Sequence, residues 1–226
     1  TAMGYGTTAS GYASTAMGYG TTASGYASTA MGYGTTASGY ASTAMGGSTT
    51  ASGSYSTAMG KNTNATGYGS VAMGEQNTAS GSRAFAMGYW NNFASGSSSV
   101  AMGRSTTASA NYSTAIGYKT TASGKSSFAI GEETTASDYA SLTIGSYNSV
   151  NSTVVTGHNA NNYDTDNAAF VIGNGYQDFD PVTMDPITVN SDAFVVYFNG
   201  NATLSGDLTI NSDERLKDNI QPLGST

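Results

Sequence analysis

An apolar residue followed by glycine returns along this chain at a fixed interval. Met3, Met17, Met31, Met45, Met59, Met73 and Met87 fall fourteen apart, Met102 comes after fifteen, and Ile116, Ile130 and Ile144 resume the spacing of fourteen. Ile172 lies twenty-eight further on, which leaves room for a degenerate coil around Val154 to Gly157. Residues 1–42 are three identical copies of TAMGYGTTASGYAS, and each copy is two related halves of seven. The extra residue of the long interval lies in Tyr89-Trp90-Asn91-Asn92, between Gly88 and Phe93. A sustained period of this kind marks a solenoid, in which each short unit stacks on the last.

The pattern within each unit selects strands. A coiled coil would need two apolar positions per seven that follow one helix face. Glycine in nearly every half would cost a helix about 1 kcal/mol each relative to alanine. Short strands ended by tight turns at glycine avoid that cost, because glycine takes positive φ freely. Where the first Thr of the unit is replaced, its substitutes are Val71, Phe85, Val100, Phe128, Leu142 and Phe170, all apolar. The third position is Met or Ile and the second almost always Ala. First and third positions therefore share one face of a strand and Ala takes the other. The expected fold class is all-β: a parallel β-roll solenoid of 14-residue coils, with two short strands per coil.

Such a roll has little interior of its own. Eleven or twelve coils stacked at about 4.8 Å make a rod of roughly 55 Å, with Met and then Ile in a row along it. An apolar stripe of that length marks an association surface, and rods bundling stripe to stripe with cyclic symmetry would cover it. The alternative packing puts Met inside each coil and leaves the Thr, Val and Phe positions to hold the oligomer.

Composition narrows the picture further. Only 9% of residues are charged, 30 are Gly, 16 are Tyr and none is Cys, which excludes a helical bundle and a disulfide scaffold. The longest apolar runs are too short to cross a bilayer as a helix. Opening inside a repeat without an initiator Met, the chain reads as an excised or processed fragment. Residues 1–60 carry no charge, and residues 61–131 carry Lys61, Arg83, Arg104, Lys119 and Lys125 against Glu75 alone. From Glu132 on, acids dominate, with only Arg215 and Lys217 against them, so the net charge is -7. No clustered basic stripe for nucleic acid is present.

The repeat resembles the YadA-like head of trimeric autotransporter adhesins, whose unit has the form S-V-A-I-G-x-x-S-x-A-T-G-x-x-S. Ser99-Val100-Ala101-Met102-Gly103 and Ser70-Val71-Ala72-Met73-Gly74 look like its first half, and Asn64-Ala65-Thr66-Gly67 like its second. The similarity covers about residues 1–173 and implies a left-handed β-roll forming a tight homotrimer with adhesive or spacer function. Met in place of Ile through the first eight coils, and Tyr at a turn position that varies in the family, are departures from it.

Further on, residues 174–211 read as a β-rich neck. Ser191 to Phe198 has strand character, Asn199-Gly200-Asn201 is a hairpin turn signal, and Ala202-Thr203-Leu204 and Asp207-Leu208-Thr209-Ile210 are short strands about Ser205-Gly206. The run from Ser212 through Asp213, Glu214, Arg215, Leu216, Lys217, Asp218 and Asn219 to Ile220 resembles the opening of the intramolecular chaperone domain of endosialidase tail spikes and related phage fibres. That resemblance makes residues 212–226 the truncated start of such a domain. It implies self-cleavage at Ser212–Asp213, with Ser212 as nucleophile and Lys217 as its base, a pairing that makes chemical sense because a Ser hydroxyl needs a neighbouring base. The remaining chain is too short to hold the complete protease. Read without the resemblance, Ser212-Asp213 is a helix N-cap.

Other chemistry is sparse. The single His, His158, and the lack of Cys leave no Cys/His metal site and no enzyme inventory. Asp178, Asp180 and Asp185 could offer oxygens to a hard cation, but match no calcium-loop spacing. Asn64, Asn111, Asn151 and Asn201 begin glycosylation sequons, uninformative in so Asn- and Ser-rich a chain. No metal or cofactor is expected. Tyr5, Tyr19 and Tyr33 should stack in one column and Tyr12, Tyr26 and Tyr40 in another, either as rings offered to a sugar or partner or as a brace for the turns. Three functions compete. The first is a trimeric viral tail fibre or spike segment of phage type on the virion surface, binding a host glycan or protein or acting as a spacer. The second is the head of a cellular autotransporter adhesin at the cell surface. The third is an ice-binding solenoid, weakened because Thr7-Thr8 and Thr21-Thr22 are adjacent and point opposite ways.

Overall fold

The computed structural model describes residues 1–148, 159–180, 183 and 185–206. Among these the chain is all β, with no helix. Each 14-residue coil contributes a five-residue strand such as Thr15–Tyr19 and a two-residue strand such as Thr22–Ala23. The long strands stack parallel and in register, Met17 beside Met31 and Ala16 beside Ala30. They form one sheet of fourteen strands, and the short strands form a second sheet of ten.

Between the sheets runs a core of single methyl groups. Ala16, Ala30, Ala44 and their successors from the long strands face Ala23, Ala37, Ala51 and theirs from the short ones, each 0–1% exposed. The position before each short strand, Thr21, Thr35, Thr49 and Thr63, and the serines Ser28, Ser42 and Ser70 also point inward and are buried. Each such Ser closes its turn twice: the Ser28 backbone N–H and its Oγ both donate to the Gly25 carbonyl, at 3.2 and 2.7 Å. Alternation sends Thr15 and Met17 outward when Ala16 is inside. The Met residues therefore do not fill the coils, and the packing that would put them inside is overturned: the space between the sheets admits nothing longer than Ala, Ser or Thr in most coils.

The role of glycine also differs from expectation. Gly18, Gly32 and Gly46 lie within the long strands, not at the turns, with φ near +120°. A Cβ on Gly18 would sit 2.0 Å from the Gly32 carbonyl oxygen of the next coil, so hydrogen alone fits there. The turn itself is made by the residue after the long strand, which is left-handed whether it is Gly20, Asn62, Gln76 or Glu133.

The fifteen-residue coil absorbs its insertion at this turn. Trp90 and Asn91 are both left-handed, at φ 62° and 58°, where other coils have one such residue. Asn92 then resumes the inward column, fully buried.

Beyond Leu142–Ser146 the long-strand sheet continues through Ala168–Asn174, which pairs parallel with it. Asp192–Tyr197 and Ala202–Leu204 then add antiparallel strands to the same sheet. Gly200 turns the hairpin between them, at φ 85°. Thr135–Ala136 is the last strand of the short-strand sheet among the described residues, and the inward side of the extension is packed by Ala168, Val171 and Val195 instead of alanine alone. Tyr176–Phe179 and Pro186–Val189 form a separate exposed hairpin. The strand expected over Asp207–Ile210 and the degenerate coil near Val154 lie outside the described residues.

Candidate functional surfaces

The outer face of the long-strand sheet is one continuous apolar strip. Met17, Met31, Met45, Met59, Met73, Met87, Met102, Ile116, Ile144 and Ile172 are half-buried on it, while Ile130 and the end-coil Met3, at 57%, are more exposed. Their partial cover comes from the same residues in the coils above and below. Beside them the first-position column changes along the rod, from Thr15, Thr29, Thr43 and Thr57 to Val71, Phe85 and Val100, then Thr114, Phe128 and Leu142.

The tyrosines lie on the two turn edges. Tyr5, Tyr19 and Tyr33 stack with ring centroids 5.2 Å apart, and Tyr12, Tyr26 and Tyr40 stack at 5.1–5.2 Å. All six are exposed. Rings repeated on parallel strands are brought to stacking distance by the strand spacing itself. The second column continues through Tyr55 and Tyr68 with rings tilted by 64° and 73°. Tyr55 occupies the left-handed turn position, one residue later than Tyr40 in its own coil, which rotates its ring out of the stack.

On the other edge, later coils trade tyrosine for charge. Lys61 and Glu75 pair at 3.1 Å and Lys119 and Glu133 at 2.5 Å, both fourteen residues apart and so one coil above the other. The Glu133 hydrogen bond and charge raise the Lys119 pKa. Burial, with Glu133 and Glu132 beside it, raises that of Tyr147, which is only 6% exposed. Between the two ion pairs, the Arg104 guanidinium sits 5.8 Å from the Trp90 ring and 5.3 Å from Tyr118.

Beneath that cluster is a hydrogen-bond ladder that the repeat pattern did not reveal. Asn77 Nδ2 donates to the Gly88 carbonyl at 2.8 Å, Asn92 Nδ2 to Asn77 Oδ1 at 2.8 Å, and Thr106 Oγ1 to Asn92 Oδ1 at 2.7 Å. In the plain coils the hydroxyls of Thr21, Thr35 and Thr49 find no such partner among the described residues.

The remaining sequence candidates gather into no site. Ser212, Asp213, Lys217 and His158 lie outside the described residues. Asp178 and Asp180 accept from the backbone amides of Phe179 and Thr183 in their hairpin, and no group of three or more metal-ligating His, Cys, Asp or Glu occurs among the described residues. On the short-strand sheet only one of the two adjacent Thr positions faces out, and Asn64 and Phe93 interrupt that column.

A Gly-punctuated roll with an alanine interior, an apolar outer strip and aromatic edges is a repeat-built β-solenoid. Seven stretches, residues 1–21, 9–35, 23–49, 37–63, 65–89, 94–120 and 122–148, match the YadA head domain repeat (two copies). They cover more than half the chain, which belongs to this family and so has the character of an adhesin-type segment of a cell-surface or extracellular protein. The matched stretches skip residues 90–93, where the insertion lies. No curated protein sequence matches the chain.

Proposed function

We propose that this chain is the adhesive or spacing segment of a homotrimeric surface fibre, its three copies packed through the outer face of the long-strand sheet. The carrying observation is the unbroken strip from Met17 to Ile144, half-exposed in the single chain and interrupted by no charged side chain at its first and third positions. Each such side chain, once fully covered, contributes up to about 1.5–3 kcal/mol, and a solvated strip of this length is otherwise unusual on a soluble protein. The chain has no Cys, so single cysteines report contacts cleanly. Met102→Cys or Ile130→Cys should give inter-subunit disulfides under mild oxidation, and Thr107→Cys, on the opposite sheet, should not. Equal cross-linking from both sheets would refute this packing.

The fibre's origin is read from its far end. The residues of 212–220 favour a viral tail fibre, with a chaperone domain that assembles the trimer and then cuts at Ser212–Asp213. The head repeats by themselves suit a cellular adhesin equally well. On the viral reading, mass spectrometry of the product made from the full gene should find a terminus at Ser212, and Ser212→Ala should abolish it; cleavage that survives this change removes Ser212 from the role. The partner outside the trimer is a host-surface glycan or protein.

A further inference from the structure

We infer that the fifteen-residue coil carries a binding site for an acidic saccharide, built from Trp90, Tyr89 and Arg104; the inference rests on the adhesive reading and gives it a place and a ligand class. Three observations converge there. The repeat is broken at this coil by one added residue, and that turn presents Trp90, the one Trp of the chain, 45% exposed. Tyr89, also exposed, meets it edge to face at 5.5 Å, so the two rings make a corner of aromatic surface. One coil on, Arg104 is exposed and lies against the Trp90 and Tyr118 rings, with no carboxylate among the described residues at ion-pair distance, whereas Lys61 and Lys119 each have a glutamate.

The turn is also held rigid, as a recognition surface must be. Trp90 takes the left-handed conformation that the other coils also have at this turn, and the added Asn91 repeats it, at φ 62° and 58°, so the insertion extends the turn without disordering the stack. Their amides are fixed to the preceding coil, Trp90 N–H to the Glu75 carbonyl at 3.0 Å and Asn91 N–H to that of Gln76 at 3.1 Å. From the next coil, Ser105 N–H donates to the Trp90 carbonyl at 2.8 Å. Below it the Asn77–Asn92–Thr106 ladder anchors the chain.

The chemistry selects the ligand. The Trp90 and Tyr118 rings flank the Arg104 guanidinium at 5.8 and 5.3 Å, and Arg104 is exposed, so its N–H fork is open to a carboxylate, which a guanidinium takes bidentately. Beside it the exposed Trp90 ring, with Tyr89 set edge-on to it, offers an aromatic face to the C–H face of a sugar ring. A peptide would gain most by adding a strand to a free edge, but both neighbours of Phe85–Tyr89 are already paired. A carboxylated sugar, a sialic or uronic acid, satisfies both halves of the site.

Because Trp90 has no competitor, its fluorescence reads the site directly. Titrating the purified full chain with 3′-sialyllactose should change Trp90 emission saturably, while lactose should not. Arg104→Gln should weaken the response about tenfold or more, the loss expected for a charged hydrogen-bonded pair. Arg104→Lys should weaken it less, and Lys61→Met not at all, with circular dichroism unchanged throughout. An equal response to lactose or to a poly-glutamate peptide, or an unaltered response in Arg104→Gln, overturns the assignment. So does a silent Trp90 in a chain whose cysteine variants still cross-link on the long-strand face, an outcome that leaves the fibre reading standing.

Discussion

The first four coils and the seven that follow share an alanine interior, altered where Asn77 and Asn92 replace Thr and Thr143 replaces Ala, and differ mainly outside. In residues 1–56 the outward first position is Thr throughout, the edges are stacked Tyr, and no side chain is charged. From Thr57 on, the inward Ala columns continue at 0–1% exposure as far as Ala136, and Thr143 takes the place of Ala in the last coil. Five of the seven outward first positions become Val, Phe or Leu, with Thr kept at Thr57 and Thr114, and the edges gain ion pairs and the Arg104 cluster. The interior is therefore a fixed scaffold set by steric limits, and the exterior is where the chain diversifies. The first region behaves as a uniform rod; the second concentrates apolar area and distinctive chemistry.

The largest effect should be the same in both regions, because it strikes the shared interior. Gly18→Ala and Gly88→Ala each drive a Cβ to within about 2 Å of the next coil's carbonyl oxygen, at 2.0 and 2.1 Å. Each adds the strain of φ above +120°. Both should lose at least about 3 kcal/mol in urea unfolding. Tolerance of one but not the other would show that the interiors are not equivalent.

Next comes the face, where the regions should part. Phe128→Glu with Ile130→Glu would bury charge at the richest part of the strip, where a stranded charge costs about 3–5 kcal/mol, and should dissociate the assembly in sedimentation velocity. Thr15→Glu with Met17→Glu should weaken it less, since the neighbouring Thr positions are already polar. Equal effects would erase the gradient.

On the edges the effects shrink. Tyr26→Ala removes two ring contacts and should cost about 0.5–1.5 kcal/mol, measurable in thermal melts. The smallest effect is at alkaline pH. The folded-state pKa values of Lys119 and Tyr147 are both raised, so the stability they contribute is intact below their ordinary values near 10 and is lost as pH rises through the raised ones. Amide exchange around residues 118–147 should quicken there before it does in the uncharged coils. Simultaneous quickening everywhere would argue against a local cause.

Much of this architecture was legible in the periodicity. Met at every fourteenth position fixed the coil length, the substitutes Val71 and Phe85 identified the outward face, and the interval from Met87 to Met102 located the insertion. Glycine misled, because its appearance in a sequence does not distinguish a turn from a close backbone approach; Gly18 and its column are the latter. The Asn77–Asn92 ladder was readable only as a replacement of Thr in one column, which the outward pattern did not draw attention to. Carried through the insertion, the register places Arg104 one coil above Tyr89, fifteen residues back, and so within reach of its neighbour Trp90. That Asp192–Tyr197 joins the solenoid sheet antiparallel had no periodic signature at all.

The claim on which the rest depends is that sister copies cover the outer strip. Light scattering on the purified chain tests it most directly: a mass of three times 22.8 kDa, held on dilution, is the predicted result, and a stable monomer at 22.8 kDa would contradict it.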